Sequence, residues 1–396
     1  MPSSMTSRPA SGFRLYPPAV VCPLGDDAET IAEHLFAGQR GLTISDAFTP
    51  GRPLPLGRVT TLLPNASDWP AAHRSRNNRL LAAALERLAP TLEAFRARHP
   101  QATIGVVLGT STSGIGETEH ALAERNDNGD WPADFHYQRQ EIGSPTAFVA
   151  HYLELSGPAY TLSTACSSSA KALASARRLL ASGACDAVIA GGADSLCRLT
   201  VSGFSSLEAV SDAPCQPFSG SRSGINLGEG AALFLMTGEP GGIQLAGYGE
   251  TSDAYHISAP HPDGMGAKAA MRAALDMASI QPGDVDYLNL HGTATIQNDL
   301  MEARAVTSLF ETPPPCSSTK SLTGHTLGAC GALEAAFCWM SLDAGRLPPA
   351  VSDGEPDPAL APLPLSSGGT ARLRCALTNA FAFGGNNIAL LLEKTS

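Results

Sequence analysis

The chain has 396 residues, 43% of them hydrophobic, enough to bury a large core in one or two domains. With 26 basic against 37 acidic residues, its net charge of −11 excludes a surface built as a whole for nucleic acid or an anionic membrane, so an acidic partner must meet a local basic patch. The nine scattered cysteines include no Cys-x-x-Cys pair and suggest neither a disulfide framework nor a zinc site.

No apolar run approaches the roughly eighteen residues of a membrane span. The Ser- and Pro-rich leader, Met1 to Gly12, reads as frayed and lacks the basic and apolar regions of a signal peptide, so a cytoplasmic location is expected. Arg14 to Cys22 reads as a short apolar strand interrupted by Pro17-Pro18, and Pro23-Leu-Gly-Asp-Asp27 turns into a helix over about Ala28 to Ala37. Arg52 to Trp69 is loop with a short strand, followed by a long amphipathic helix from about Asn77 to Arg98. Thr103 to Gly109 is a continuous apolar run, the mark of a strand covered on both faces. The glycine-rich stretch Gly109 to Gly116 lacks the Gly-x-Gly-x-x-Gly order and a following Lys-Ser/Thr, which argues against a phosphate loop.

A helix over Gln140 to Leu155 leads to Tyr160-Thr-Leu-Ser-Thr-Ala-Cys166-Ser-Ser-Ser-Ala-Lys171. Its β-prone start and the helix formers from Ala170 to Ala181 place Cys166 at a strand-to-helix elbow. There the free N–H groups of a helix start would lower a thiol pKa, and small neighbours would let a carbonyl approach. A buried structural thiol is the alternative. Ala187 to Gly192 and Ala231 to Met236 are further buried strands, joined through a loop from Pro217.

Pro240-Gly-Gly242 divides the chain into 1–240 and 241–396. The order then repeats: strand Ile243 to Tyr248, helix Gly266 to Ala278, strand Tyr287 to Leu290, helix Leu300 to Leu309, a small-residue elbow at Ser317 to Gly331 and helix Ala332 to Leu342. A Pro-rich loop, Pro348 to Ser367, precedes strands Leu373 to Leu377 and Ile388 to Leu392. Alternating strands and helices make the class α/β with largely parallel pairing. The likeness of the elbows around Cys166 and Cys330 hints at an internal duplication.

Two histidines share the company of Cys166. His291 follows a buried-strand pattern and precedes Gly292, the C-terminal strand end where open α/β sheets collect ligands. His325, between Gly324 and Gly328 at a helix start, should have a lowered pKa and a neutral ring able to donate from one nitrogen. Either histidine alone is more often a hydrogen-bonded core or surface group.

The segments Thr164-Ala-Cys-Ser-Ser-Ser, His291-Gly-Thr-Ala-Thr, Ser318-Thr-Lys-Ser-Leu-Thr-Gly-His325 and Asn379-Ala-Phe-Ala-Phe-Gly-Gly-Asn-Asn387 together resemble the elongating β-ketoacyl-acyl-carrier-protein synthases of the condensing-enzyme, thiolase-like superfamily. The resemblance runs from Pro23 to Leu392 in the family's motif order. It implies a thiolase-like fold: two related βαβαβ halves in a five-layered α-β-α-β-α core, the first half carrying the nucleophile and the second the two histidines and Lys320. It implies that Cys166 accepts an acyl chain as a thioester, with an oxyanion hole from the backbone N–H groups of Cys166 and Phe383. His291 and His325 would donate to the malonyl thioester oxygen during decarboxylation. Lys320 would order them, paired with Glu334, or serve as a buried structural cation.

By the same resemblance Thr293 and Thr295 would bind the phosphopantetheine arm, and Asp299, Glu302 and Glu334 would support the site. Asn289, Glu302, Glu334 and Asn379 are candidates for a structural monovalent cation. The stretch holding Arg74, Arg76 and Arg79, with Arg222, falls near the family's carrier-docking face, the alternative being a solvated cationic turn. No organic cofactor is implied, since the substrates ride on the carrier's phosphopantetheine; the partners are an acyl carrier protein and a second subunit, identical or related. Ala382 stands where the family usually has Gly and Asn386 where Thr is usual, which bears on the mobility of Phe383. The His291 to Asp299 form and Arg76-Asn-Asn-Arg79 look like synthases of specialised polyene pathways such as aryl polyenes. A non-catalytic chain-length subunit would have lost the nucleophile, and a CoA-dependent thiolase would need a differently placed second cysteine.

Overall fold

The computed structural model describes residues 12–395, so the leader up to Ser11 lies outside the described residues. Pro17-Pro18 splits the first apolar run as expected, into β1 (Phe13–Leu15) and β2 (Ala19–Val21). Helix α1 (Ala28–Ala37) follows, its start capped by Asp27, which accepts from Thr30 N–H. Helix α2 (Arg76–Arg98) is capped by Ser75. Then come β3 (Ile104–Gly109), α3 (Ile115–Asn128), α4 (Ser144–Tyr152), β4 (Ala159–Leu162), α5 (Ser168–Ala181), β5 (Ala187–Asp194), α6 (Arg198–Ser206) and β6 (Gly230–Thr237). The second part holds β7 (Gly242–Ser252), α7 (Met265–Ala278), β8 (Tyr287–Asn289), α8 (Ile296–Leu309), β9 (Cys316–Ser317), α9 (Lys320–Thr323), α10 (Cys330–Ala344), β10 (Cys375–Ala382) and β11 (Asn386–Thr395).

The pairing establishes the duplication that the two elbows hint at. In the first half β3 is parallel to β4 and β5, β5 is antiparallel to β6, and β6 is antiparallel to β2. In the second half β8 is parallel to β9 and β10, β10 is antiparallel to β11, and β11 is antiparallel to β7. The two patterns are the same. Strand β1 pairs with both β6 and β7 and so joins the halves into one 11-stranded sheet.

Strand side chains alternate between two cores, as burial on both faces requires. In the first half Val106, Leu108, Ile189 and Leu233 pack outward against α2 and α4, while Val107, Val188, Phe234 and Met236 face inward. In the second half Leu288, Leu377 and Leu391 face α7 and α8, while Tyr287, Ala376 and Leu390 face inward. Helices α5 and α10 fill the space between the two halves of that sheet, which yields the five layers α-β-α-β-α. Their approach is close: a Cβ on Gly331 would stand 2.6 Å from the Cβ of Ala170.

The sequence reading departs from the structure in several places: the pairing is mixed and not largely parallel, with parallel pairs only among β3, β4, β5 and among β8, β9, β10, helices α3 and α6 lie where no helix was read, and several boundaries shift. Helix α8 begins at Ile296, about a turn before Leu300, and β10 runs on to Ala382, so Asn379 lies on a strand. Helix α4 is shorter than Gln140 to Leu155, because a separate turn of 3₁₀-helix occupies Tyr137–Gln140.

Candidate active site

The Cys166 elbow is built by small residues. Ala165 has φ 52°, a left-handed conformation that reverses the chain between β4 and α5 at the cost of strain. The serines tie the turn down: Ser168 Oγ accepts from Thr164 N–H (2.9 Å), and Ser167 Oγ donates to Thr164 O (2.7 Å). Gly109, at the end of β3, lets α5 seat against the sheet, since a Cβ there would lie 2.2 Å from Ser169 N. Ala294 (φ 65°) and Leu327 (φ 49°) carry the same kind of strain beside the threonines and His325.

The second half supplies the groups that face the thiol. His291 lies just beyond β8, and Glu302 on α8 fixes the turn there by accepting the N–H groups of His291 and Gly292, each at 2.8 Å. Asn379 Nδ2 donates to the same carboxylate at 3.0 Å. His325 is pinned by its N–H to Asn226 O (2.7 Å) and by Gly228 N–H to its own carbonyl (3.0 Å). Its Nε2 then stands 3.0 Å from Cys166 Sγ. The two imidazoles meet edge to face, centroids 5.4 Å apart, and one ring nitrogen of each lies with the sulfur in a group whose atoms are within 4.8 Å of one another. Lys320 Nζ sits 3.3 Å from His291 Nδ1 and pairs with Glu334.

Burial dominates the electrostatics. It pushes the Cys166 thiol up to about 12, although the charge of Lys320 pulls the other way, so the lowered pKa expected at a helix start is overturned. His291 and His325 are held well below the ordinary 6.5, first by burial and then by Lys320. The neutral rings expected are therefore present, but His325 owes its state to burial and Lys320. A short 3₁₀ turn follows it, and the long helix begins only at Cys330. Burial opposes the charge on Lys320 as well, and Glu334 with Cys330 more than offsets it, leaving that pKa above its usual value.

A cavity of about 380 Å³ opens onto the sulfur and is lined by Cys166, His291, His325, Thr293, Thr295 and Phe383 among others. The hydroxyls of Thr293 and Thr295 are 2.9 Å apart. The Phe383 ring is 40% exposed and leans on Phe204, centroids 5.5 Å apart. Ala382 takes φ −121°, ordinary for alanine, and the left-handed position falls to Gly384 (φ 82°), so the departure from Gly brings no strain. Asn386 accepts from Lys171 Nζ at 3.1 Å. Asp299 is buried beneath the threonines, accepting from Phe218 N–H (2.8 Å) and Ala294 N–H (3.2 Å). Burial raises it to about 6 and Glu302 to about 7.

Around the proposed cation site, Glu334 Oε2 and Asn379 Oδ1 are buried without a hydrogen-bond partner. Asn289 Nδ2 donates to Tyr287 OH at 3.2 Å. Two uncommitted buried oxygens are the donors that a hard cation takes.

The four arginines are turned to internal work. Arg76 Nε donates to buried Glu229 at 2.8 Å, Arg79 to the carbonyls of Pro64 (2.8 Å) and Leu63 (3.0 Å), and Arg74 to the carbonyl of Trp69 (2.7 Å). Arg222 is buried, 3.8 Å from Asp299, and donates to Ser219 O and Asp357. Its place inside the protein corrects the expectation of a carrier-facing cation.

Some residues escaped the sequence reading. Asp194, at the end of β5, accepts from Thr110 Oγ1, Ser111 N–H and Thr112 N–H and holds the loop behind Cys166. Its signal was an acid closing a buried apolar strand. Cys330 also begins a helix among small residues, so that feature does not single out Cys166; its thiol donates to Cys166 O at 3.2 Å. Position opposite His325 and on the cavity distinguishes Cys166.

The chain matches the family models "Beta-ketoacyl synthase, N-terminal domain" over residues 18–240 and "Beta-ketoacyl synthase, C-terminal domain" over residues 243–352. It is 34% identical over 311 residues to 3-oxoacyl-[acyl-carrier-protein] synthase 2 of Staphylococcus aureus (strain COL), covering 74% of this chain and 75% of that protein. Its fold superposes on a chain of the ketosynthase (ApeO) complex with its chain length factor (ApeC) from Xenorhabdus doucetiae, with TM-score 0.92, 43% identity and coverage of 97% and 98%. The ishigamide ketosynthase/chain length factor gives TM-score 0.89 at 26% identity, covering 97% and 99%. Duplicated fold, opposed Cys, His and His, and these likenesses lead to one assignment: the chain belongs to the beta-ketoacyl synthase family.

Proposed function

We propose that this acyltransferase is a β-ketoacyl-[acyl-carrier-protein] synthase, joining a malonyl unit to a carrier-bound acyl chain by decarboxylative Claisen condensation. The observation that carries the reading is the 3.0 Å approach of His325 Nε2 to Cys166 Sγ. The buried thiol needs a base to lose its proton, and a neutral imidazole at hydrogen-bond distance is one. As sulfur attacks the acyl thioester, the proton passes to His325 and then to the departing carrier thiol, leaving acyl-Cys166. When the malonyl thioester takes its place, carbon dioxide leaves and the electron pair of the broken C–C bond becomes an enolate.

His291 is set for that second step. An ammonium has donors only, so Lys320 at Nδ1 keeps the ring proton on Nε2, where it faces the cavity. His325, in the tautomer that carries its proton on Nε2, would join His291 at the enolate oxygen, and the enolate carbon would attack the acyl carbonyl. The backbone N–H groups of Cys166 and Phe383 would hold the resulting oxyanion until it collapses and Cys166 leaves as a thiolate. Thr293 and Thr295 would steady the arm that brings each substrate. The substrates arrive on phosphopantetheine, and no organic cofactor enters the scheme. A monovalent cation held at Glu334 and Asn379, with Asn289 and Glu302 beside them, would offset the buried carboxylate charge.

The partners are an acyl carrier protein and a related ketosynthase-like subunit. Strand β4 ends the sheet with an open edge, and Trp131, Tyr137, Ile142 and Tyr152 nearby in sequence are exposed. A second reading, the chain-length subunit itself, is disfavoured by the intact Cys166, His291 and His325. The His291 to Asp299 form and the Arg76-Asn-Asn-Arg79 stretch favour a specialised polyene pathway, such as that of aryl polyenes, over housekeeping fatty-acid synthesis. Intact-protein mass spectrometry tests the whole: a carrier-bound acyl donor adds one acyl mass, lost in Cys166→Ala, and an adduct that survives that change overturns the assignment.

A further inference from the structure

The turn that carries Phe383 is held from two sides. Ala382 and Asn386 pair across its neck, and Gly384 and Gly385 between them take φ 82° and 72°, so the turn has little stiffness of its own. On one side it is tied to the 253–257 segment: Gly384 N–H donates to Ile257 O at 2.8 Å, and Gly385 O accepts from Asp253 N–H at 2.9 Å. That segment is itself at the surface, Tyr255 being 56% and Ile257 80% exposed. On the other side stands Lys171, half-buried on α5 and little more than a helical turn beyond Cys166. Its Nζ donates to Asn386 Oδ1 at 3.1 Å, and the same amide leans over the turn, where a Cβ on Gly384 would lie 3.5 Å from Asn386 Nδ2. The Thr usual in the family at this place ends a bond nearer the backbone, so it is the longer Asn386 side chain that reaches Lys171.

We infer that Lys171 is a positioning residue: through Asn386 it fixes the Phe383 turn relative to Cys166, so that the backbone N–H of Phe383 is in place when the oxyanion forms. The inference rests on the function proposed above, in which the N–H groups of Cys166 and Phe383 share that oxyanion. The two donors come from different halves of the molecule, one from the start of α5 and one from the turn between β10 and β11. Such a pair works only at a set separation, since a misplacement of about 1 Å can cost about 10²-fold in rate. The contacts with the 253–257 segment fix the turn to an exposed piece of chain. Lys171 fixes it to the helix that bears the nucleophile, and so sets the separation that the chemistry needs.

Lys171→Met, which keeps a long unbranched side chain without the donor, is compared with Lys171→Arg, which keeps a donor, and with Asn386→Leu, which removes the acceptor. With a carrier-linked acyl substrate, kcat should fall about 10- to 100-fold in Lys171→Met and in Asn386→Leu, while KM stays within about twofold, because a donor aimed at the oxyanion acts in the transition state alone. Lys171→Arg should regain most of the lost rate. The double variant Lys171→Met with Asn386→Leu should be no slower than either single one, since both break the same tie. Alkylation of Cys166 by iodoacetamide forms no oxyanion, so its rate should stay within about twofold of wild type in every variant, which separates a displaced turn from a disturbed nucleophile or a damaged fold. A Lys171→Met kcat within about twofold of wild type, an arginine variant as slow as the methionine one, losses that multiply in the double variant, or alkylation that falls in step with acyl transfer overturns the proposal. A wild-type protein whose Cys166 takes no acyl group from the carrier-linked donor refutes the proposed function and this role with it; acylation that proceeds in wild type and equally in Lys171→Met sinks the positioning role alone.

Discussion

Lys320 and His291 are locked in one relationship: the Nζ of Lys320 lies 3.3 Å from His291 Nδ1, and Glu334 holds the ammonium in place. All three are buried, so the pair cannot exchange its partner for water. Lys320→Met should leave Glu334 as an unpaired buried carboxylate and cost about 3–5 kcal/mol of stability, the range for breaking such a pair. Lys320→Met with Glu334→Gln should recover much of that loss while leaving malonyl decarboxylation impaired. Denaturant melts and a decarboxylation assay on both proteins check this; full decarboxylation in the double variant would free His291 from any need of Lys320.

Replacing either histidine by Ala should suppress decarboxylation by about 10²–10³, the loss of one oxyanion donor, or about 2.7–4 kcal/mol. His325→Ala should also slow acylation of Cys166, because it removes the base at 3.0 Å, while His291→Ala should spare that step. Single-turnover acylation followed by mass spectrometry separates the two. Equal acylation defects would show that His325 has no special claim on the thiol proton.

The pH dependence follows from the same burial. With Cys166 pushed up to about 12, the thiolate fraction of the resting protein grows about tenfold per pH unit through neutrality. The rate of alkylation by iodoacetamide should therefore rise steadily from pH 7 to pH 9; a plateau would mean a thiolate already formed. The histidines set the opposite limb. Their pKa values are depressed, so their neutral forms persist as pH falls through 6.5, and decarboxylation should decline only below that value. An acid limb at or above pH 6.5 contradicts the assignment.

Arg76 joins α2 to Glu229, which also accepts Val59 N–H (3.0 Å) and Leu196 N–H (3.1 Å). Arg76→Glu places two carboxylates together where one is buried. Because the arginine is 34% exposed, the cost should stay near 1–3 kcal/mol, less than about 3–5 for a wholly buried pair. It should lower turnover of carrier-linked and free thioesters alike. A selective loss with the carrier would restore Arg76 to the docking surface.

Much of this was legible in the chain because close packing leaves a plain record. The runs Thr103 to Gly109 and Ala187 to Gly192 read as buried strands, and the elbow at Cys166 followed from a β-prone start and helix formers. The motifs around His291, Lys320 and His325 located the chemistry. What escaped depended on distant partners. Nothing local to Arg76 or Arg222 says that Glu229 or Asp357 waits for it, so two charges in a polar stretch read as surface. The thiol pKa was misjudged for a related reason: a helix start is visible in sequence, whereas burial by the other half of the molecule is not. Asp194 hid because an acid after Ala-Gly-Gly-Ala reads as a strand end until the four groups that donate to it are seen.

The halves meet only late in synthesis. Cys166 and His325 are 159 residues apart, and β11 (Asn386–Thr395), which lies inside the second half's sheet between β10 and β7, is made after the other strands of that sheet. A chain growing from its N-terminus thus displays the nucleophile long before the base that activates it. A product broken off ahead of Asn386 would lack a central strand and could not close the half that holds His291, Lys320 and His325. Reactivity is therefore a certificate of assembly: a thiol that turns over acyl groups belongs to a molecule in which β11 is in place.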